Sequence, residues 1–271
     1  MLRRLRWIED RLWWHGSLRR AEVVERFGIS PQQASQDISA YQHIRPGLAK
    51  LDPSSKAYLR DASAEPFFPK DPFRWITHEM SENAPVLPLE RVPVPGRRAD
   101  RDVMAGLLSA FDAKRSLAIE YQSLSRDGPS GRTICPHHLV DANHRCHVRA
   151  WDSLRSRFAD FVVGRIVSVR PCPDYPWIDG LADHLWHEQV VIILVPAPEL
   201  SPAQRRVVEQ DYGMHKGQTE FSVRKALVTY VAEALGILDE IQGGSEAEDA
   251  PLRRRELRCL NAAELSDYVP R

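Results

Sequence analysis

The stretch FGISPQQASQDISAYQ, Phe27–Gln42, decides how the first part of the chain is read. Gly28 stands where a left-handed residue stops a helix, and Ser30-Pro31 is an N-cap followed by proline at the first helical position. A new helix therefore starts within a few residues of the last one. It offers only Ala34, Ile38 and Tyr41 at the i, i+4, i+7 spacing, and a helix that merely filled a core would carry a wider apolar face. The rest of its surface is Gln32, Gln33, Ser35, Gln36 and Ser39. Side-chain amides donate and accept at once, which suits an adenine edge, and hydroxyls suit phosphate or mixed contacts.

On the N-terminal side, Leu5, Ile8, Leu12 and Trp13 recur at helical spacing and predict an amphipathic helix over residues 2–14, ended near His15-Gly16. Ser17 is placed to cap a second helix, LRRAEVVERFG, with Leu18, Ala21, Val24 and Phe27 on one face. Two short helices about a glycine turn form a helix-turn-helix. On the C-terminal side, GLAKLDPSSKAYLRD reads as strand, Asp-Pro-Ser-Ser turn, strand, a wing carrying Lys50, Lys56 and Arg60. The candidate DNA contacts are Arg19, Ser30, Gln32, Gln33, Ser35, Gln36, Ser39, Lys50, Lys56 and Arg60. The competing reading is a polar surface helix packed on a small hairpin.

Charge supports the first reading. The 271 residues sum to zero formal charge, yet residues 1–60 hold 11 basic against 6 acidic side chains, and residues 172–271 hold 10 against 17. The basic end is the one that suits a polyanion. With 43% hydrophobic and 27% charged residues, the composition is that of a globular chain long enough for several small domains. The longest apolar run, VVIILV at Val190–Val195, is far shorter than the roughly 18 residues of a membrane span, and acids interrupt the N-terminal MLRRLRWIEDRLWW where a signal peptide would be apolar. A cytoplasmic protein with no membrane partner is expected. Cys135, Cys146, Cys172 and Cys259 share no framework spacing and are expected to be free thiols.

Prolines at 66, 69, 72, 85, 88, 93 and 95 mark a connector, with a short helical piece around Arg74–Met80 and an extended piece at VLPLERVPV. A bridging helix follows from Asp100 to Lys114, with Val103, Leu107, Leu108 and Phe111 on its apolar face. Then SLAIEYQSLS, GRTICPHHLVDAN, HRCHVRAWDS and RFADFVVGRIVSVRP read as successive strands of a small antiparallel barrel or curled sheet. Alternation in RCHVRAW puts Cys146, Val148 and Ala150 on one face and Arg145, His147, Arg149 and Trp151 on the other. With Arg165 and the His137-His138 pair nearby, the second face reads as a basic pocket for an anion. The competing reading for each arginine is an ion pair with Asp152 or Asp160.

LAIEYQS, RTICPHHLV, RCHVRAWD and FADFVVGRIVSV together resemble the WYL domain. A winged helix ahead of it and an α/β extension behind are similar to the WYL-domain transcriptional regulators, above all the bacterial repressors of CBASS- and BREX-type phage-defence operons. The resemblance covers nearly the whole chain, through the CPHHLV and DFVVGRI elements and the wing LDPSSKAYL. One departure stands out, since Cys146-His147-Val148 replaces the Trp-Tyr-Leu triplet of the family. The resemblance implies an Sm-like β-barrel that senses a nucleotide or nucleic-acid ligand, a C-terminal dimerisation extension, and a homodimer on a palindromic double-stranded operator. It maps ligand positions onto Ser123, His138, His147, Arg149 and Arg165, with Arg145 and Arg157 as further candidates. Arg149→Ala is then expected to keep the fold and lose only the ligand response.

The C-terminal region reads as strand HEQVVIILVP, helix SPAQRRVVEQDYG capped by Ser201, strand QTEFSVR, helix KALVTYVAEALG, a mobile GGSEAEDAP turn, and a strand or short helix at LRRRELRCL. This is a small α/β sandwich whose acidity argues against a second DNA contact. The expected fold class is therefore α+β multidomain, with a winged helix-turn-helix at 1–85, a linker and bridging helix at 86–115, the WYL barrel at 116–185 and the extension at 186–271. Two rival readings are a zinc-binding protein and a nucleic-acid-processing enzyme. A zinc site would use Cys135, His137, His138, His144, Cys146 and His147, but the spacing fits no finger, and alternation would send Cys135 and His137 to the face opposite His138. An enzyme would need a catalytic or phosphate-loop signature, and Glu120, Asp141 and Asp152 have no such spacing. No cofactor, metal or catalytic residue is expected.

Overall fold

A computed structural model describes residues 1–61, 63–72, 75–77, 95, 97–125, 127–243 and 256–270. The chain divides into two compact units, Met1–Pro93 and Val94–Arg271.

In the first unit, α1 (Leu2–His15) ends at Gly16 in the left-handed conformation, φ 76°. The next two residues pair as a short strand, β1 (Ser17–Leu18), so Ser17 is not a helix cap. Leu18 is instead fully buried, and α2 (Arg20–Phe27) starts after Arg19, whose backbone N–H donates to the Glu22 carboxylate at 2.7 Å. Gly28 takes φ 59°, Ser30 Oγ accepts from Gln33 N at 3.1 Å, and α3 (Pro31–Ile44) begins with its proline, as the residue types require. β2 (Ala49–Asp52) and β3 (Ala57–Arg60) complete an antiparallel sheet of order β1-β3-β2. Its turn is locked by Asp52, whose carboxylate accepts from the backbone and hydroxyls of Ser54 and Ser55. Those bonds favour the ionised form and hold the Asp52 pKa at about 2.

Ile8, Leu12, Leu18, Val23, Ala34, Ile38, Tyr41 and Leu48 are sealed from water and form the core of this unit. At roughly 1.5–3 kcal/mol for each large apolar side chain, their burial is the main force holding three short helices on a small sheet. Two buried acids set the helix packing. Glu9 accepts from Tyr41 Oη at 2.7 Å and from the backbone of Phe67 and Phe68, both at 2.8 Å. Asp37, on the inner side of α3, accepts from Arg4 Nε at 2.6 Å. Of the connector, Trp75–Thr77 are helical. The remaining calls there, including VLPLERVPV and the boundary at 85, lie outside the described residues.

In the second unit, α4 (Arg101–Ala113) is capped by Asp100, which accepts from Asp102 N and Val103 N. Val103, Leu107 and Ala110 form its buried stripe, while Leu108, expected on that stripe, is 47% exposed. One step of 100° from Leu107 turns it to solvent, and Ala110 takes the place inside. A five-stranded antiparallel sheet follows from β4 (Leu117–Tyr121), β5 (Ser130–Ala142), β6 (Arg145–Asp152), β7 (Arg157–Val162) and β8 (Ile166–Pro171) in the order β7-β6-β5-β4-β8. RFADFVVGRIVSVRP is thus two strands split by a 3₁₀ turn at Val163–Arg165. β7 and β8 end the order without pairing to each other among the described residues, so the sheet is open and the closed Sm-like barrel is not seen. Val148 and Ala150 of β6 lie in its core with Ile119, Ile134 and Phe161, as alternation predicts.

The C-terminal module packs α6 (Pro202–Asp211) and α7 (Val228–Leu235) with a second antiparallel sheet of order β10-β9-β11, built from β9 (Gln189–Pro196), β10 (Thr219–Arg224) and β11 (Leu257–Cys259). A one-turn helix, α5 (His184–His187), precedes it. Ser201 caps α6 as its sequence predicts. Ile192, Leu194, Val208, Val228, Ala232 and Leu265 meet in its core. Apart from Gly243, the GGSEAEDAP turn lies outside the described residues, as do the arginines of LRRRE. All four cysteines are free thiols. Among the described residues no helix is long and apolar enough to cross a membrane.

Candidate DNA-reading face and effector site

α3 presents two different sides. Ala34, Ile38 and Tyr41 face the core, while Gln32, Gln36 and Ser39 are exposed, one turn apart along the outer side. Gln33 belongs elsewhere, because its amide donates to Asp37 Oδ1 at 3.2 Å and holds the buried carboxylate that Arg4 also binds. Ser35 Oγ donates to Pro31 O at 3.0 Å and accepts from Arg20 Nη1 at 3.3 Å, and Ser30 is committed to its cap. Arg19 is exposed at the start of α2.

The wing splits in the same way. Lys56 is exposed at the turn with φ 53°, and Lys50 is exposed although its ammonium lies 2.9 Å from Asp61. Arg60 turns inward. Its guanidinium donates to Trp13 O at 2.8 Å and lies 4.2 Å from the centroid of the Trp13 ring, so it ties β3 to α1. Of the ten candidate contacts, then, Arg19, Ser30, Gln32, Gln36, Ser39, Lys50 and Lys56 are exposed, Ser30 with its hydroxyl in the cap, whereas Gln33 and Arg60 are held by internal partners.

In the second unit, the middle of the polar side of β6 is buried. His147 and Arg149 are 6% and 5% exposed. The Arg149 fork is already filled, with Nε and Nη2 donating to the two Asp183 oxygens at 2.7 and 3.1 Å and Nη1 donating to Asp160 at 3.3 Å. The ion pair with Asp160 anticipated from the sequence is present, joined by a second carboxylate that alternation cannot reveal. The pairing outweighs the cost of burial, and holds the Asp183 carboxyl well below and the Arg149 guanidinium above their usual ranges. Two acids against one arginine do not make a basic pocket. Nor do the histidines restore it, since burial lowers the pKa of both His138 and His147, and the neighbouring His137 and Arg224 lower His138 further. The expectation that Arg149→Ala keeps the fold gives way for the same reason.

The other ligand positions fall nearby. His147 lies opposite Val162 across the β6–β7 pair, and Arg165 follows three residues later at the end of the 3₁₀ turn. The Arg165 carbonyl accepts from Gln122 N at 3.0 Å, which brings the backbone next to Ser123 up to that turn. Ser123 Oγ is shared with Ser125 Oγ at 2.8 Å. Arg145 is half-buried and Arg157 exposed. The register of β5 on β6 shifts between Pro136 and His138, so the two histidines do not go to opposite faces, and their Nδ1 atoms lie 2.6 Å apart. Among the described residues, no three His, Cys, Asp or Glu side chains are gathered as a metal site.

Sequence reasoning missed the residues that close this region. Asp183 caps α5, accepting from Trp186 N, and the Trp186 ring lies against His138 with centroids 4.3 Å apart. Tyr230, on α7, donates to Asp160 at 3.0 Å and sets its ring 4.9 Å from that of His147. The cap DHLWH is legible as a helix start, but its approach to Arg149 spans 34 residues and leaves no local signal.

Comparison with known proteins agrees with this layout. Residues 1–76 match the family model of the BrxR transcriptional regulator winged helix-turn-helix domain, residues 102–171 that of the WYL domain, and residues 189–265 that of the BrxR transcriptional regulator C-terminal dimerization domain. The DNA-binding transcriptional repressor CapW of Escherichia coli (strain KTE188) is 33% identical over 250 residues, which cover 88% of this chain and 83% of that protein. CapW of Stenotrophomonas maltophilia is 32% identical over 87% of this chain and 83% of that protein, and CapW of Pseudomonas aeruginosa is 31% identical over 98% and 91%. With winged helix, WYL domain and C-terminal dimerization domain in one order along the chain, this protein belongs to the family of the CapW transcriptional repressors.

Proposed function

We propose that this chain is a sequence-specific DNA-binding repressor that acts as a cytoplasmic homodimer on a palindromic operator of a phage-defence operon. The observation that carries the reading is the division of α3, which buries Ala34, Ile38 and Tyr41 and leaves Gln32, Gln36 and Ser39 exposed, in a unit where Arg19 and the wing lysine Lys56 are exposed as well. Such a helix places amide side chains against base edges in the major groove, and flanking cations fix its register on the phosphates. A two-fold dimer reads two such half-sites. The names of the relatives support a regulator rather than an enzyme.

The same proposal assigns an anionic effector, a nucleotide or nucleic acid, to the WYL sheet at Ser123, His138, His147, Arg149 and Arg165. Two features support it. Arg149 offers a planar fork that suits a phosphate as well as a carboxylate, and His147 Nδ1 is buried without a hydrogen-bond partner, a polar atom that a ligand would satisfy. Selection of bound duplexes from a random DNA pool tests the first part. A palindromic consensus is expected, with one position of each half-site relaxed in Gln36→Ala. Recovery of unenriched DNA would defeat the reading.

A further inference from the structure

The carboxylate of Asp183 occupies the place an incoming anion would need. Both its oxygens are on the Arg149 fork, His137 Nε2 lies 3.2 Å away, and the side chain is 2% exposed. Asp160, the other acid on Arg149, is fixed on β7 directly across the sheet from it. Asp183 is different, because it sits on the connector between the WYL sheet and the C-terminal module, between a 3₁₀ turn at Gly180–Ala182 and a one-turn helix. That helix and its C-cap Glu188 meet the module at Arg224 and Lys225. Arg224 of β10 donates to Trp186 O at 2.6 Å and places its guanidinium 5.0 Å from the Trp186 ring centroid. Lys225 pairs with Glu188 at 2.6 Å.

We infer that Asp183 is a built-in competitor for the effector: an anion that takes the Arg149 fork expels this carboxylate, uncaps the helix at His184–His187, and loosens the hold of Trp186 on the C-terminal module. The inference rests on the proposal that this region takes an anion. The two states differ in who holds Arg149, and an effector shifts their balance only by the difference in its affinity for them. While Asp183 is seated, part of the effector's binding free energy is spent on displacing it. The release reaches the dimerisation module through Trp186, in addition to the contacts that Tyr230 of that module makes with Asp160 and His147.

The test uses the full chain and inorganic phosphate as the probe. Asp183→Asn removes the charge that competes, and asparagine remains a good N-cap, so the helix start is kept. Phosphate affinity is measured by calorimetry for both proteins, and amide hydrogen exchange over residues 145–149 and 184–188 is followed with and without phosphate. The expected result is at least about tenfold tighter binding by Asp183→Asn, together with protection at 145–149 and faster exchange at 184–188 when phosphate binds the wild type. Equal affinities, or phosphate that protects 145–149 and leaves 184–188 unchanged, would overturn the competitor and leave the effector site standing. No protection at 145–149 in either protein would overturn the anion site itself and the competitor with it. Should Asp183→Asn fail to fold, the wild-type exchange decides alone.

Discussion

Replacing Arg149 by alanine is the perturbation whose outcome the structure changes most. Sequence alone predicts a folded protein that has lost its effector response, since the residue is remote from the DNA-reading helix. The structure predicts a stability defect. The guanidinium is 6% exposed and holds Asp183, 2% exposed, and Asp160, 18% exposed, so its removal leaves two desolvated carboxylates without their cation. Breaking a buried pair by deleting one partner costs about 3–5 kcal/mol, because the remaining charge stays buried and unpaired. Two local groups hold the value toward the lower end. His137 Nε2 stays 3.2 Å from Asp183, and Tyr230 Oη still donates to Asp160. At about 2–4 °C per kcal/mol for a unit of this size, the melting temperature should fall by about 6–20 °C. Calorimetry of Arg149→Ala, Asp183→Asn and the double variant provides the assay. The double variant should recover part of the loss, since one of the two orphaned charges is gone while Asp160 keeps its bond from Tyr230, and the two single changes should be strongly non-additive. A loss under about 1 kcal/mol for Arg149→Ala, or simple additivity, would refute the buried network.

Further outcomes follow from the other contacts. Gln36→Ala should weaken operator binding by about 1–3 kcal/mol and relax one base position, whereas Lys56→Ala should weaken all sequences alike and reduce the salt dependence; matching sequence-blind losses in a binding-selection assay would remove α3 from the groove. Gln33→Ala should behave differently from Gln36→Ala, costing stability through Asp37 rather than specificity, as paired melting and DNA-binding curves would show. Arg60→Ala should lower the melting temperature of the first unit by freeing β3 from Trp13, and an undiminished melting temperature with weakened DNA binding would reverse that assignment. Burial lowers the pKa of His138 and His147 below the ordinary 6.5, so the unfolded chain takes up these protons first as pH falls. Their contribution is present in full above about pH 6.5 and is lost as pH drops below it. Urea denaturation at several pH values should show this fall, and a His147→Gln variant should show a shallower one.

The winged helix was legible because its signals are local. Gly28, Ser30 and Pro31 act within one turn of the backbone, Asp52 needs only Ser54 and Ser55, and the apolar spacing of Leu5, Ile8 and Leu12 sets a face whatever lies against it. The same holds for Asp100 and Ser201 as caps, and for the inward face of Val148 and Ala150. Where local rules were silent or overridden, tertiary structure decided. Ser17 became a strand because Leu59 lies beside it, and β5 shifts register on β6 between Pro136 and His138, leaving the two histidines in contact where strict alternation would part them. Periodicity separates the faces of a strand or helix but does not say what covers them. It placed His147 and Arg149 on one polar side of β6, and that side faces not solvent but Asp183, Asp160 and Tyr230, brought there from 34, 11 and 83 residues away in the sequence. An arginine's charge is fixed by its chemistry, but whether it stands free to meet a ligand is set by which carboxylates the fold brings within hydrogen-bond reach, and only the packed chain determines that.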